Sequence, residues 1–208
     1  MRSLKLSMFV IAVFSFGTAN VVEAADDYPV AAEEFVYCTV CHGAQLMGNS
    51  TIQAPRLSKM ETWYVERQLT SFKNGWRGTH ESDAIGMEMQ PMAAALSDEQ
   101  IAEVAQFVNA TTSPSPSTTV QGNVSRGRIH YATCSACHGA NGEGIQALGG
   151  PSLTGTNDWY LLEQLQKFRD GRRGSHPKDS FGGQMRAAVQ ILNDDDAVQD
   201  VVSYINTL

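Results

Sequence analysis

The sequence predicts an all-α chain made of two tandem copies of one small helical domain. Three observations predict it. Residue types recur at an offset of 96, apolar side chains fall at helical spacing in both copies, and no stretch alternates long enough to argue for a sheet.

The repeat is dense. Adding 96 carries Cys38, Cys41 and His42 onto Cys134, Cys137 and His138, and Pro55 and Leu57 onto Pro151 and Leu153. It carries Trp63, Tyr64, Gln68, Leu69 and Phe72 onto Trp159, Tyr160, Gln164, Leu165 and Phe168. It also carries Gly75, Arg77, Gly78 and His80 onto Gly171, Arg173, Gly174 and His176, and Met89 and Leu96 onto Met185 and Leu192. The register then slips by one within Asn193-Asp194-Asp195-Asp196, a helix-entry loop where an added residue costs little. Two copies of this length are a duplicated domain, not a solenoid. Residues 25–110 form the first domain and 124–208 the second. The Ser/Thr/Pro-rich stretch 111–123 between them, without apolar periodicity, is a linker.

Three helices are predicted per copy. Ser58 and Glu61 have the spacing of a capping box ahead of Val65, Leu69 and Phe72, with Gly75 as the stop. Leu161, Leu165 and Phe168 repeat that stripe, ending at Gly171. Ser97 and Gln100 form a second capping pattern before Ile101, Val104, Ala105 and Val108, answered by Val198, Val201, Val202 and Ile205. A short helix carrying Phe35 or Tyr131 precedes each cysteine pair. Domains this small and this poor in apolar residues need extra core, which a large apolar cofactor supplies.

The amino terminus is a predicted secretory signal peptide, residues 1–24. Arg2 and Lys5 precede an eleven-residue run, Leu6 to Phe16, and Val22-Glu23-Ala24 offers small residues at a cleavage site. That run covers about half of what a bilayer core demands, so the cleaved chain is not expected to span a membrane. Cleavage moves the formal charge from −7 to −8, and an acidic exported chain is excluded as a nucleic-acid binder. The acid is uneven. Residues 25–110 hold five Lys/Arg against twelve Asp/Glu, and residues 124–208 hold eight against nine. By charge alone, any redox group in the first half would be held toward its more positive, oxidised state, and that half is steered toward basic partners.

All four cysteines lie in Cys38-Thr39-Val40-Cys41-His42 and Cys134-Ser135-Ala136-Cys137-His138. Both are C-x-x-C-H, the attachment motif of haem c. Two thiols one helical turn apart add to the two vinyl groups on one porphyrin edge, and the adjacent histidine faces the iron. Two haem c groups are therefore expected. A Cys₄ zinc site does not call for a histidine after both pairs, and a thioredoxin-like pair expects a βαβ context absent here.

His42 and His138 are the predicted axial ligands on one side of each iron. On the other side methionine is expected, a pairing that raises the potential. Met185 is the only methionine after residue 92 and stands 47 residues beyond His138; the same separation from His42 selects Met89 over Met87 and Met92. Pro55 and Pro151 each stand 13 residues after the ligating histidine, where a backbone carbonyl accepts the free imidazole N–H. His80 and His176, in Arg-Gly-x-His loops, are read as polar contacts to a haem carboxylate.

These motifs resemble the class I dihaem cytochromes of the cytochrome c4 family. The resemblance rests on Cys-x-x-Cys-His-Gly at 38–43 and 134–139, Pro-x-Leu at 55–57 and 151–153, Tyr-x-x-x-Gln-Leu at 64–69 and 160–165, and Met-x6-Leu at 89–96 and 185–192. It implies two class I cytochrome c domains, each wrapped around one covalent haem, with propionates turned toward one another across an interface. It also implies a periplasmic one-electron carrier feeding a terminal oxidase. Two other functions compete: an electron-accepting subunit of a periplasmic dehydrogenase complex, and a dihaem enzyme such as a thiosulfate dehydrogenase or a peroxidase. The enzyme is disfavoured because all four cysteines are committed and both copies offer a methionine to close the iron. Donor and acceptor redox proteins are the expected partners.

Overall fold

The computed structural model describes residues 35–208; the predicted signal peptide lies outside the described residues. The first copy contains α1 (Val36–His42), α2 (Thr62–Lys73), α3 (Ala84–Ala94) and α4 (Asp98–Ala110). The second contains α5 (Val124–His138), α6 (Asp158–Arg169), α7 (Ser180–Ala188) and α8 (Asp195–Ile205). Short 3₁₀ turns punctuate both, and the only β pairing among the described residues is one isolated bridge per copy, Asn49 with Ala54 and Ile145 with Gly150.

Four helices per copy replace the three expected. The additional ones, α3 and α7, carry Met89 and Met185. Their apolar pattern is interrupted by Gly86 and Pro91 in one, and by Gly182 and Gly183 in the other. What starts them is a cap: the Asp83 and Asp179 carboxylates accept from the amides of Gly86 and Gly182 at 3.0 and 2.9 Å.

The two capping patterns fare differently. Ser97 and Gln100 form a reciprocal box, at 2.9 and 3.2 Å. Ser58 and Glu61 do not. The helix begins at Thr62 with Glu61 as an uncapping N-cap residue, because both side chains have partners elsewhere. The Ser58 hydroxyl pairs with that of Ser113 at 2.6 Å, and Glu61 accepts from the Ser152 amide at 2.7 Å. The one-residue slip of register is visible at the last helix, where Asp194 caps α8 although Ser97 caps α4.

Each copy has its own core. Ile101, Val104, Ala105 and Val108 of α4 bury against Phe35, Leu46, Val65 and Leu96. Val198, Val201, Val202 and Ile205 of α8 bury against Tyr131, Phe168, Val189 and Leu192. Equivalent ring pairs join the first and last helices, Phe35 with Phe107 at 6.0 Å and Tyr131 with Tyr204 at 5.3 Å.

Residues 111–123 have no regular element, yet they are fastened at both ends. The Arg56 guanidinium donates to the carbonyls of Ser113 and Pro114. At the other end the buried Asp158 carboxylate accepts from the Thr119 amide and hydroxyl and from the Val120 amide, at 2.6 to 2.8 Å.

Candidate functional site: two matched cavities with a shared wall

The two C-x-x-C-H segments lie at the ends of α1 and α5, so each cysteine pair is one helical turn long. None of the four cysteines forms a disulfide; Cys41 and Cys137 are exposed, Cys38 and Cys134 half-buried. Burial pushes the Cys38 thiol above its ordinary value and that of Cys134 to about 11. Among the described residues no three His, Cys, Asp or Glu side chains gather as a metal-holding group.

Each histidine is oriented by the predicted proline. His42 Nδ1 donates to the Pro55 carbonyl at 2.7 Å, and His138 Nδ1 to the Pro151 carbonyl at 2.7 Å. Burial lowers the basicity of both imidazoles, partly opposed by those carbonyls, and favours the neutral form that ligates. The tautomer that donates from Nδ1 leaves Nε2 free.

Both histidines open onto apolar cavities. Cys38, Cys41, His42, Pro55 and Met89 line one; Cys134, Cys137, His138, Pro151 and Met185 line the other. The α2 and α6 stripes supply the remaining walls with Val65, Leu69 and Phe72, and with Leu161, Leu165 and Phe168. Met87 is 45% exposed and stands outside the wall, whereas Met92 touches it. Thus each cavity unites the thiols, histidine, proline and methionine singled out by spacing, and its apolar lining suits a porphyrin.

The cavities share a wall that sequence reasoning did not assemble. Tyr64, Gln68, Tyr160 and Gln164 line both. Arg77 donates to Gln68 of its own copy at 2.7 Å, and to Tyr160 and Gln164 of the other at 3.0 and 3.1 Å. Arg173 mirrors it, donating to Gln164 at 2.9 Å and to Tyr64 and Gln68 at 3.2 and 2.8 Å. These six residues are three pairs at the repeat offset, so the duplication builds the interface twice over. Arg173 Nε is buried without a partner, an orphan donor that a carboxylate in the cavity would satisfy.

His176 stacks on Trp76 across the interface, with centroids 6.4 Å apart, and His80 is exposed. In these loops it is the arginines that reach the shared wall. Arg67 adds a second contact, donating to the Gly149 carbonyl at 2.8 Å while lying over Trp63 and Phe181 at 4.8 and 4.5 Å.

A duplicated helical domain whose C-x-x-C-H segment faces a methionine across an apolar cavity defines a dihaem c-type cytochrome. The comparisons agree. The family model for cytochrome c matches residues 32–112 and again 124–208. A thiosulfate dehydrogenase electron acceptor from Stutzerimonas stutzeri is 35% identical over 178 residues, covering 80% of this chain and 76% of that protein. Cytochrome c4 of Azotobacter vinelandii is 28% identical over 211 residues, 96% of this chain and 97% of that one. The solved cytochrome c4 of Acidithiobacillus ferrooxidans superposes with a TM-score of 0.66 at 25% identity, covering 84% of this chain and 99% of that structure. The chain belongs to the cytochrome c family, as a dihaem class I electron-transfer protein of the cytochrome c4 kind.

Proposed function

We propose that the chain is a periplasmic carrier that accepts electrons one at a time from a dehydrogenase and passes them to a further redox protein. In this reading Cys38 and Cys41 hold one haem c by thioethers, and Cys134 and Cys137 hold the other. His42 with Met89, and His138 with Met185, would hold the two irons. When bound, each haem iron takes up and gives back one electron. The residues do the rest: Pro55 and Pro151 orient the imidazoles, the methionines would supply a second ligand to each iron, and the α2 and α6 stripes exclude water. The observation that carries the reading is the shared wall. Two matched cavities meeting at Tyr64, Gln68, Tyr160 and Gln164 suit passage of an electron between centres rather than binding of a substrate.

Two findings bear on the donor. The relative from Stutzerimonas is named for accepting electrons from thiosulfate dehydrogenase, and its 35% identity exceeds the 28% to the cytochrome c4 of Azotobacter. The acceptor reading therefore leads, and a c4-type carrier to a terminal oxidase is the second. The exported, haem-loaded protein, mixed with a thiosulfate dehydrogenase and thiosulfate, is expected to be reduced in two one-electron equivalents. It should oxidise no thiosulfate alone and bind carbon monoxide slowly. Reduction by thiosulfate without the dehydrogenase, or rapid carbon monoxide binding at either iron, would make it an enzyme instead.

A further inference from the structure

Glu61 and Asn157 are equivalent by the repeat, and each is the N-cap residue of its helix, α2 or α6. Neither side chain caps its own helix, although an unoccupied cap ordinarily costs helix stability. Both reach across the interface instead. The Glu61 carboxylate accepts from the Ser152 amide at 2.7 Å, and the Asn157 side-chain oxygen accepts from the Arg56 amide at 2.6 Å.

The targets are not arbitrary amides. Ser152 N–H and the Pro151 carbonyl are the two ends of one peptide group, and that carbonyl accepts from His138 Nδ1. Arg56 N–H and the Pro55 carbonyl are likewise one peptide group, whose carbonyl accepts from His42 Nδ1. Each histidine is therefore linked, through a single resonance-coupled amide, to a side chain of the opposite domain. The two links differ in charge: a carboxylate bears on His138 and a neutral amide on His42.

We propose that Glu61, though part of the first domain, lowers the reduction potential of the centre held at His138, and that Asn157 leaves the centre at His42 without this effect. This rests on the haem ligation set out above. A carboxylate accepting from a peptide N–H draws its proton and makes the carbonyl a stronger acceptor. A stronger acceptor at Nδ1 makes the imidazole a better donor to iron, which favours the ferric state. The contact is half-buried at a domain interface, so salt screens it less than a surface charge. Counting charge by sequence halves assigns Glu61 to the first centre. The fold delivers it to the second, against the direction that the count implies.

The test is redox titration of Glu61→Gln, which keeps a hydrogen-bond acceptor and removes the charge, with each haem followed through its own axial-methionine NMR signals. The reduction equilibrium of the His138 centre is expected to shift toward the ferrous form by about three- to tenfold, where tenfold is ~59 mV for one electron. The His42 centre should move much less, and the shift should persist at high salt. Asn157→Asp, the converse change, is expected to shift the His42 centre toward the ferric form. Equal shifts at both centres, no shift at His138, or an effect abolished by salt would overturn the proposal. Haem content and axial ligation are checked first on the unaltered protein: fewer than two covalent haems, or a ligand other than His138, would defeat the ligation reading itself.

Discussion

Lys167 Nζ lies 2.7 Å from Asp83 Oδ1, and both side chains are only 4% exposed. The lysine belongs to α6 and the aspartate to the cap of α3, so this ion pair ties the second domain to the helix that carries Met89. Lys167 also holds Glu163 at 2.8 Å, which leaves two carboxylates depending on one ammonium. Removing one partner of a buried pair costs about 3–5 kcal/mol because the other charge stays desolvated. Lys167→Met is expected to lose that much in denaturant unfolding and to expose residues 111–123 to proteolysis. The double variant with Asp83→Asn should recover part of the loss. Additive losses would show that the pair is not coupled.

Asp158 fastens the linker, and its behaviour is pH-dependent with a defined sign. Burial pushes its carboxyl up, but hydrogen bonds from Thr119, Val120 and Asn206 outweigh that and hold it below the usual carboxylate range. A depressed folded value means the group stabilises the fold above its unfolded value, about 3.9, and loses that contribution as pH falls through the folded value. Asp158→Ala should cost on the order of 3 kcal/mol at neutral pH. The gap between variant and parent, read from thermal unfolding, should close progressively below pH ~4. A gap independent of pH would mean that the lost contacts do not require the charge.

The repeat made both sites legible in sequence, because the offset carried thiols, histidines, prolines and methionines together, and the fold gathers each set at one cavity. The inner faces of α4 and α8 were equally legible through their spacing. Three features were not. Helices α3 and α7 are interrupted by glycine, and α3 by Pro91 as well, and depend on an aspartate cap plus contact with the rest of the domain, so periodicity passed over them. The Ser58–Glu61 pattern matched a capping box, but local spacing cannot register a competing partner 91 residues away at Ser152. The Arg77 and Arg173 network was visible only as conserved spacing between copies, since an interdomain contact leaves no periodic signal in either.

Spacing alone chose Met89 from three candidates, and the cavity wall excludes Met87 but not Met92. Met89→Ala and Met185→Ala are each expected to remove half of the weak red-edge absorbance that marks methionine on ferric haem iron, and to lower the potential of one centre. Met87→Ala should change neither, and Met92→Ala should leave the band in place. Loss of the band in Met92→Ala with its retention in Met89→Ala would move the ligand three residues along α3.

The second domain stands on the crossing of α5 and α8, and one glycine sets how close they come. A Cβ built at Gly127 would lie 1.9 Å from the Asp200 carbonyl oxygen and 2.9 Å from Tyr204 Cβ. Neither neighbour is the end of a flexible side chain, so the helices themselves would have to separate. Arg126 and the Asn123 amide both bind the Asp200 carboxylate beside the crossing, and separation would strain those contacts too. Helix propensity points the other way, since alanine is favoured over glycine by about 1 kcal/mol in a helix interior. Overpacking typically costs about 1–3 kcal/mol and more where backbone must move, so the clash prevails and Gly127→Ala should lower the melting temperature. Gly183 in α7 supplies the opposite case. The nearest neighbour to a Cβ added there is the Gly174 carbonyl oxygen at 3.8 Å, an ordinary contact, so Gly183→Ala should stabilise by roughly 0.5–1 kcal/mol. Thermal unfolding of the two haem-loaded variants should therefore move in opposite directions. If Gly127→Ala stabilises as Gly183→Ala does, α5 and α8 are not in backbone contact at this crossing.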